Sequence, residues 1–408
     1  MKSYNNEIFC IFCNMEEILY RYNPHWDKTI ELPGLKERKR TLTALKAHLN
    51  SKYIILITGL RRIGKTSLLK LLIKLLIQEY RVSPKYIFYI SLDDYLLAKQ
   101  NILEIIDAYR KIHKIKFTEK VYLFLDEITY KEDFQIQLKN IFDSQHAKIF
   151  ASSSSASLIK RDKPYLTGRN MVYEVLPLDF TEYLQFREIS ISKSDEHIRE
   201  KLFEEYMQTG GIPEYVLHKK TEYLRDLVDD IIYKDIGAVH NIKNIQVLKD
   251  YFLLLMERAG KQISLNKLAA ILRISPDTSR RYFELFTDSF LIFPVLRYGT
   301  TNEKLLSAKK IYAPDLGIRH LFTGFRDIGS FFENYVYLKI KKFNPFYLYT
   351  GKTEIDFLIE KTALIEAKYQ QEPLSEKQQE LFDAYEIPEK HIVRNHRMIE
   401  QVTDGLSS

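Results

Sequence analysis

The sequence predicts an α/β protein whose first half is built on a parallel sheet. Three observations carry that prediction. Short apolar runs rich in β-branched and aromatic residues alternate with helical patterns from about residue 53 to residue 177. One of these runs, Tyr53-Ile54-Ile55-Leu56-Ile57, passes through a glycine-containing loop straight into Leu68 to Ile77, a segment apolar almost all round and so a buried helix. A chain of 408 residues is also too long for one ordinary core, and two or three domains are expected.

In order along the chain, residues 1–33 read as an arm packed on the first domain. A better-patterned stretch begins at Met15-Glu16-Glu17-Ile18-Leu19, so residues 1–14 are expected to be an over-long start assignment. Leu35 to Leu49 has a helical pattern. The run 53–57 is the first strand, and Tyr86 to Ile90 is the second. Ile102 to Ile112 is a helix. The third strand, Val121 to Leu125, ends in Asp126-Glu127. The fourth, Lys148 to Ala151, ends in Ser152-Ser153-Ser154-Ser155. A fifth, Met171 to Leu176, stops at Pro177.

Between the first strand and its helix lies Gly59-Leu60-Arg61-Arg62-Ile63-Gly64-Lys65-Thr66-Ser67, the G-x-x-x-x-G-K-[ST] pattern of a P-loop. Gly59 and Gly64 let the backbone turn tightly and bring its N–H groups to phosphate oxygens. The helix opening near Lys65 adds the positive end of its dipole. Lys65 is expected to reach the β- and γ-phosphates of ATP, and Thr66 to hold Mg²⁺. An apolar strand closing on Asp126 has the form of a Walker B element, with Asp126 as a Mg²⁺ ligand and Glu127 placed to polarise the attacking water. The serines after the fourth strand would stand beside the γ-phosphate, with Ser153 as its sensor. Arg169, in Leu166-Thr167-Gly168-Arg169, is a candidate γ-phosphate arginine.

Composition excludes several other classes. With 45% hydrophobic and 28% charged residues the chain is globular rather than disordered. No run approaches the roughly 18 apolar residues of a membrane span, and no signal peptide is evident. Cys10 and Cys13 form a C-x-x-C without a second pair to complete a zinc site, and they cannot make a disulfide scaffold, which fits a cytoplasmic protein. A net charge of +7 permits a nucleic-acid partner without requiring one.

These motifs resemble those of archaeal and bacterial AAA-related P-loop ATPases fused to a winged helix and a C-terminal PD-(D/E)xK nuclease-like domain. The matching residues are Gly59 to Thr66, Leu125-Asp126-Glu127-Ile128, Ser152 to Ser155, and Leu166 to Arg169. Pro177-Leu178-Asp179-Phe180-Thr181-Glu182-Tyr183 and Gly210-Gly211-Ile212-Pro213-Glu214-Tyr215 match as well. The resemblance implies an additional-strand, AAA-like P-loop NTPase core, in which the serine-tipped strand separates the two Walker strands. It implies a helical lid, a winged-helix domain and a restriction-endonuclease-like α/β domain after it. One departure is Ala151, where such proteins carry Gly before the serines, and it bears on the placement of the sensor.

The expected divisions are an arm over 1–33, the ATPase core over 34–177, the lid over 178–245, the winged helix over 246–327 and the nuclease-like domain over 328–408. In the winged-helix division, Leu248 to Gly260, Ile263 to Leu272 and Ser279 to Phe290 read as helices and Leu291 to Arg297 as a strand, with Ser275 to Thr278 as a turn. Arg273, Arg280 and Arg281 could face DNA phosphates, although Tyr282, Phe283 and Phe286 read as packing. In the last division, Asp356 followed by Glu366-x-Lys368 is the PD-(D/E)xK arrangement. Glu366 and Lys368 share a strand face, and a hairpin brings Asp356 beside them. Asp356 and Glu366, with Glu333 from a preceding helix, would bind Mg²⁺ or Mn²⁺, and Lys368 would activate a water. The partners expected are ATP or ADP and DNA, with no membrane; a homo-oligomer is left open. The competing reading is an ATP-dependent switch whose C-terminal domain only binds nucleic acid or a protein.

Overall fold

The computed structural model describes residues 15–28, 34–156, 165–192 and 195–407. Residues 1–14, expected to be an over-long start assignment, lie outside the described residues together with Cys10 and Cys13. The chain divides into two compact units, Met1–Val175 and Leu176–Ser408.

The first unit holds a five-stranded parallel sheet of β1 (Ile54–Thr58), β2 (Ile87–Ser91), β3 (Val121–Asp126), β4 (Ala147–Ser153) and β5 (Asn170–Glu174). Their order is β2-β3-β4-β1-β5, so the serine-tipped strand β4 stands between the P-loop strand and the strand ending in Asp126. Every residue of β1 and β3 is buried. That is what a parallel sheet requires, because both of its faces are covered. The helices of this unit are α1 (15–22), α2 (Lys39–Lys46), α3 (Lys65–Gln78), α4 (Ile102–Ile112) and α5 (Phe134–Ser144). Helix α4 starts on a capping box in which Asn101 and Glu104 satisfy one another's backbone N–H groups. The sequence reading had no counterpart of α5.

After α1 the chain closes the free side of edge strand β2. The Asn23 side chain donates to the Tyr89 carbonyl (2.8 Å) and accepts from the Tyr89 N–H (2.7 Å), as a neighbouring strand would. The Trp26 indole donates to the Ile87 carbonyl (2.9 Å) and stacks on Tyr109 at 5.7 Å. These contacts satisfy backbone groups that a bare edge would leave without partners.

The second unit opens with four helices: α6 (Phe180–Phe186), α7 (Glu196–Thr209), α8 (Pro213–His218) and α9 (Thr221–Asp230). A π-helical stretch, Ile231–Ala238, follows, and then α10 (Ile245–Glu257), β6 (Gln262–Ile263), α11 (Leu265–Leu272), α12 (Pro276–Asp288) and β7 (Phe293–Val295). Helix α12 starts earlier than its expected first residue, Ser279. Ser275 caps it and Pro276 occupies its first turn, where the missing N–H costs nothing. Next come α13 (Thr301–Leu306), β8 (Lys309–Tyr312), α14 (Leu316–Thr323) and α15 (Ile328–Ile340). β6, β8 and β7 form an antiparallel sheet in that order. The chain ends with β9 (Phe346–Thr350), β10 (Thr353–Ile359), β11 (Ala363–Ala367), α16 (Glu376–Ala384), β12 (Glu389–Val393) and α17 (His396–Gly405). Their sheet runs β12-β11-β10-β9, with β11 and β12 parallel and the other pairs antiparallel.

The Gly210-Gly211 pair breaks the helical run because three backbone segments meet there. A Cβ on Gly211 would lie 2.1 Å from the Leu178 carbonyl oxygen, and one on Gly210 would lie 2.3 Å from Asp315 Oδ1. Asp315 accepts from the Gly211 N–H (2.6 Å) and the Ile318 N–H (2.9 Å), tying this turn to the start of α14. Burial pushes the Asp315 carboxyl up to about 6, against those N–H bonds. A carboxyl raised above its unfolded value binds its proton more tightly when folded. Its stabilising share is complete below the unfolded pKa and is lost as pH rises through about 6. Asp315→Asn imitates the neutral form, so the parent's advantage over it should shrink by roughly 2–3 kcal/mol from about pH 4 to about pH 7 in denaturant unfolding. A gap that widens with pH would show that the fold prefers the carboxylate.

Candidate nucleotide site and a second acidic cluster

Strand β1 ends at Thr58, and the loop after it is shaped by its two glycines. Gly59 has φ +143, and a Cβ there would sit 2.3 Å from the Val175 carbonyl oxygen. Gly64 has φ +98 and caps the N-terminus of α3. Leu60 and Ile63 are buried beneath the loop and anchor it. The Lys65 ammonium is buried as well, and donates to the carbonyls of Gly59 and Leu60 at 3.1 Å each. A cation is thus held across a turn at a helix N-terminus, which suits a polyphosphate.

The second half of the site comes from β3 and β4. Thr66 Oγ1 donates to Asp126 Oδ2 at 2.6 Å, so the hydroxyl and the carboxylate expected to hold Mg²⁺ are already in contact. These two fit an ion that keeps most of its shell from phosphate and water. Asp126 accepts two further hydroxyls, Tyr89 at Oδ2 (3.0 Å) and Ser152 at Oδ1. Glu127 has φ +50, and its N–H donates to Ser152 Oγ at 3.1 Å. Its Oε1 accepts from Ser154 at 2.8 Å.

The structure does not bring every expected residue here. Ser153, the expected sensor, faces the other way: its hydroxyl meets Thr129 Oγ1 at 3.2 Å and accepts from the Ser155 N–H at 3.0 Å. Ser152 and Ser154 touch the acidic pair instead. Strand alternation within the serine tract is the signal that separates them from Ser153. Arg169 is paired with Asp143 at 3.0 and 3.2 Å, and its carbonyl accepts from the Ile54 N–H. It therefore lies at the start of β1, the end of the sheet opposite the P-loop. Tyr89 was not foreseen; a tyrosine in an apolar strand reads as packing.

In the second unit the expected hairpin forms. Phe357 pairs with Ile365, and one step further along the ladder sets Asp356 opposite Glu366. A register shift between Ile355 and Leu358 in the β9–β10 ladder brackets Asp356. The Asp356 N–H donates to Glu366 Oε2 (3.0 Å), and Lys368 lies 3.3 Å from Glu366 Oε1. Burial and the Asp356 charge push the Glu366 carboxyl up to about 8. Burial and Asp356 likewise hold Glu333 at about 7.

The residue that sequence reasoning missed is Lys310, on β8. Its fully buried ammonium contacts Glu333 (2.6 Å), Glu354 (2.6 Å) and Asp356 (2.8 Å). Burial works against the charged form, but Asp356 and Glu333 outweigh it and hold Lys310 well above the ordinary lysine range. Tyr312, two residues on, donates to Glu333 at 2.6 Å. Among the described residues no three His, Cys, Asp or Glu side chains are grouped to hold a metal ion. Where a divalent ion was expected among Glu333, Asp356 and Glu366, the structure sets a lysine against two of the three, because an ammonium offers three donors to surrounding carboxylates. Also among the described residues, no helix is long and apolar enough to cross a membrane.

A family model described as an AAA domain matches residues 51–184, and a domain of unknown function, DUF8612, matches residues 200–328. The uncharacterized protein MJ1544 of Methanocaldococcus jannaschii is 30% identical over 339 residues, covering 78% of this chain and 75% of that protein. A second protein of the same organism, MJ1637, is 28% identical over 322 residues, covering 72% of this chain and 66% of its own length. A solved structure of AMPPCP-bound DnaA from Aquifex aeolicus covers 65% of this chain and 91% of its own at 18% identity. Its TM-score of 0.29 is too low to bear on function.

Proposed function

This chain belongs to the family of the Methanocaldococcus jannaschii protein MJ1544 and carries an AAA domain, and from that premise we propose that it binds ATP with Mg²⁺ and hydrolyses it. The observation that carries the reading is the Thr66–Asp126 contact, made by the residue after the loop-bound Lys65, with Glu127 one residue beyond Asp126. Backbone N–H groups and Lys65 would take the phosphates, and Thr66 and Asp126 the metal. Glu127, oriented by Ser154, would accept a proton from water as it attacks the γ-phosphorus.

For the second unit we propose a winged helix over 246–327, supported by the order α10, β6, α11, α12, β7, β8. We also propose a nuclease-like module over 328–408, supported by the Asp356–Glu366 pairing. Within the first of these, Arg280 pairs with Asp277 at 3.2 Å and Arg281 donates to the His240 carbonyl at 2.9 Å. DNA is the partner proposed for these modules. Of the two roles open to the nuclease-like module, the Lys310 contacts favour a switch over metal-dependent cleavage, because a tethered cation already stands against Glu333 and Asp356, two of the three carboxylates expected to hold the metal.

The test is phosphate release with and without single- and double-stranded DNA, run beside cleavage of the same DNA with Mg²⁺ or Mn²⁺. The expected result is Mg²⁺-dependent phosphate release without cleavage. Cleavage lost on Asp356→Ala would restore the nuclease role, and absence of phosphate release under every condition would refute the ATPase.

A further inference from the structure

We propose that Tyr89 is a positioning residue for the Mg²⁺ carboxylate, and that the segment 15–28 sets Tyr89 in place through Asn23. The proposal rests on the ATPase reading above and concerns residues that reading does not use. It begins with strand register. Tyr89 on β2 is the ladder partner of Phe124 on β3, and Ser91 is the partner of Asp126. Tyr89 and Asp126 are therefore diagonal neighbours on one face, a separation that a long aromatic side chain can span. The phenol does span it, donating to Asp126 Oδ2 at 3.0 Å. That same oxygen accepts Thr66 Oγ1 at 2.6 Å. Ser152 holds the other carboxylate oxygen.

Three hydroxyls on three elements thus fix the plane of one carboxylate. Only one of them, Thr66, belongs to the P-loop. The Tyr89 side chain is buried, and its hydroxyl is directed at the carboxylate as a donor. Its backbone is equally constrained. Asn23 is fully buried and makes both hydrogen bonds to Tyr89 that a flanking strand would make, while its Nδ2 also donates to the Leu19 carbonyl (2.8 Å) at the end of α1. The Tyr22 ring lies 6.1 Å from the Tyr89 ring, and its hydroxyl donates to Asp94 at 2.8 Å, just past the end of β2. Edge strands are the least constrained strands of a sheet. Here the edge strand carries a group that touches the metal carboxylate, and a separate segment immobilises it.

A divalent ion such as Mg²⁺ demands nearly octahedral ligands and tolerates little drift. Loss of the phenol hydroxyl should therefore act on the metal rather than on the nucleotide. The experiment uses the full chain and Tyr89→Phe, which keeps the ring and its packing. A fluorescent ATP analogue is titrated in EDTA, and phosphate release is followed against Mg²⁺ concentration. The expected result is nucleotide affinity in EDTA within about twofold of the parent and a half-saturating Mg²⁺ concentration raised on the order of tenfold, equivalent to about 1.4 kcal/mol. Asn23→Ala, which leaves the phenol in the chain but loosens its backbone, should raise the Mg²⁺ requirement in the same direction by less. An unaltered Mg²⁺ requirement in Tyr89→Phe overturns the role of the phenol. A shift there without one in Asn23→Ala overturns the part assigned to residues 15–28. Failure of Tyr89→Phe to fold would show the hydroxyl to be structural and would likewise overturn the proposal. A parent chain that binds no nucleotide in EDTA or Mg²⁺ refutes the ATPase reading itself, a result distinguishable from all of these.

Discussion

Lys65→Ala should reduce ATP affinity by two to three orders of magnitude. The ammonium is nearly out of contact with solvent and is held by two loop carbonyls, Gly59 and Leu60. It stands at the start of α3, where a polyphosphate would bring several negative charges. Truncating one partner of such a desolvated charge pair costs about 2–5 kcal/mol in binding, because the phosphate loses its countercharge while still losing water. The remaining N–H groups of the loop are dipoles and cannot replace a full charge. Titration of a fluorescent ATP analogue gives the affinity directly. A melting curve without nucleotide separates this loss from damage to the loop, since Lys65 also braces two carbonyls. Affinity within threefold of the parent in a folded variant would mean that residues 59–67 are not the phosphate cradle.

Glu127→Gln is expected to leave binding nearly intact and to slow hydrolysis by about 10²–10⁴-fold, the usual contribution of a positioned general base. The substitution preserves shape, and the Gln carbonyl can still accept from Ser154. What disappears is the negative charge that, on the proposed reading, would accept a proton from the attacking water. Glu127 also sits at φ +50, an uncommon backbone position for a residue with a side chain. That conformation turns it off the end of β3, while its N–H remains bonded to Ser152. Single-turnover phosphate release measures the chemical step without product release. Hydrolysis at the parent's rate would show that another group polarises the water.

What was legible in the sequence follows from the range over which each signal acts. Strands β1 to β4 could be read because buried parallel strands are nearly continuous apolar runs, and their ends carry the polar residues of the site. The hairpin joining Asp356 to Glu366 was legible because a short turn determines its register. Ser153 was a near miss: the tract was right, but the choice within it needed the phase of β4. Arg169 was misplaced because a motif beside a strand does not say which end of the sheet it will occupy. Lys310 was out of reach altogether. Its strand reads Lys-Lys-Ile-Tyr, which resembles a solvated surface, and two of its partners lie 44 and 46 residues further along the chain. Only the packing of β8 beside β10 and α15 turns that lysine into the cation of an acidic cluster.

The strand order of the first unit also has a consequence for the chain as it is being made. Synthesis delivers strands in the order β1 to β5, yet β1 is flanked by β4 and β5, the two delivered last. The β2–β3 pair can close while β1 still has no neighbour in the sheet. The Gly59 turn is packed against the Val175 carbonyl, and the Val175 N–H bonds to Thr58. The loop at residues 59–67 therefore reaches its final shape only after residue 175 has emerged, more than a hundred residues later. A nascent chain shorter than this carries the whole P-loop sequence without its sheet, and should gain nucleotide affinity in one late step.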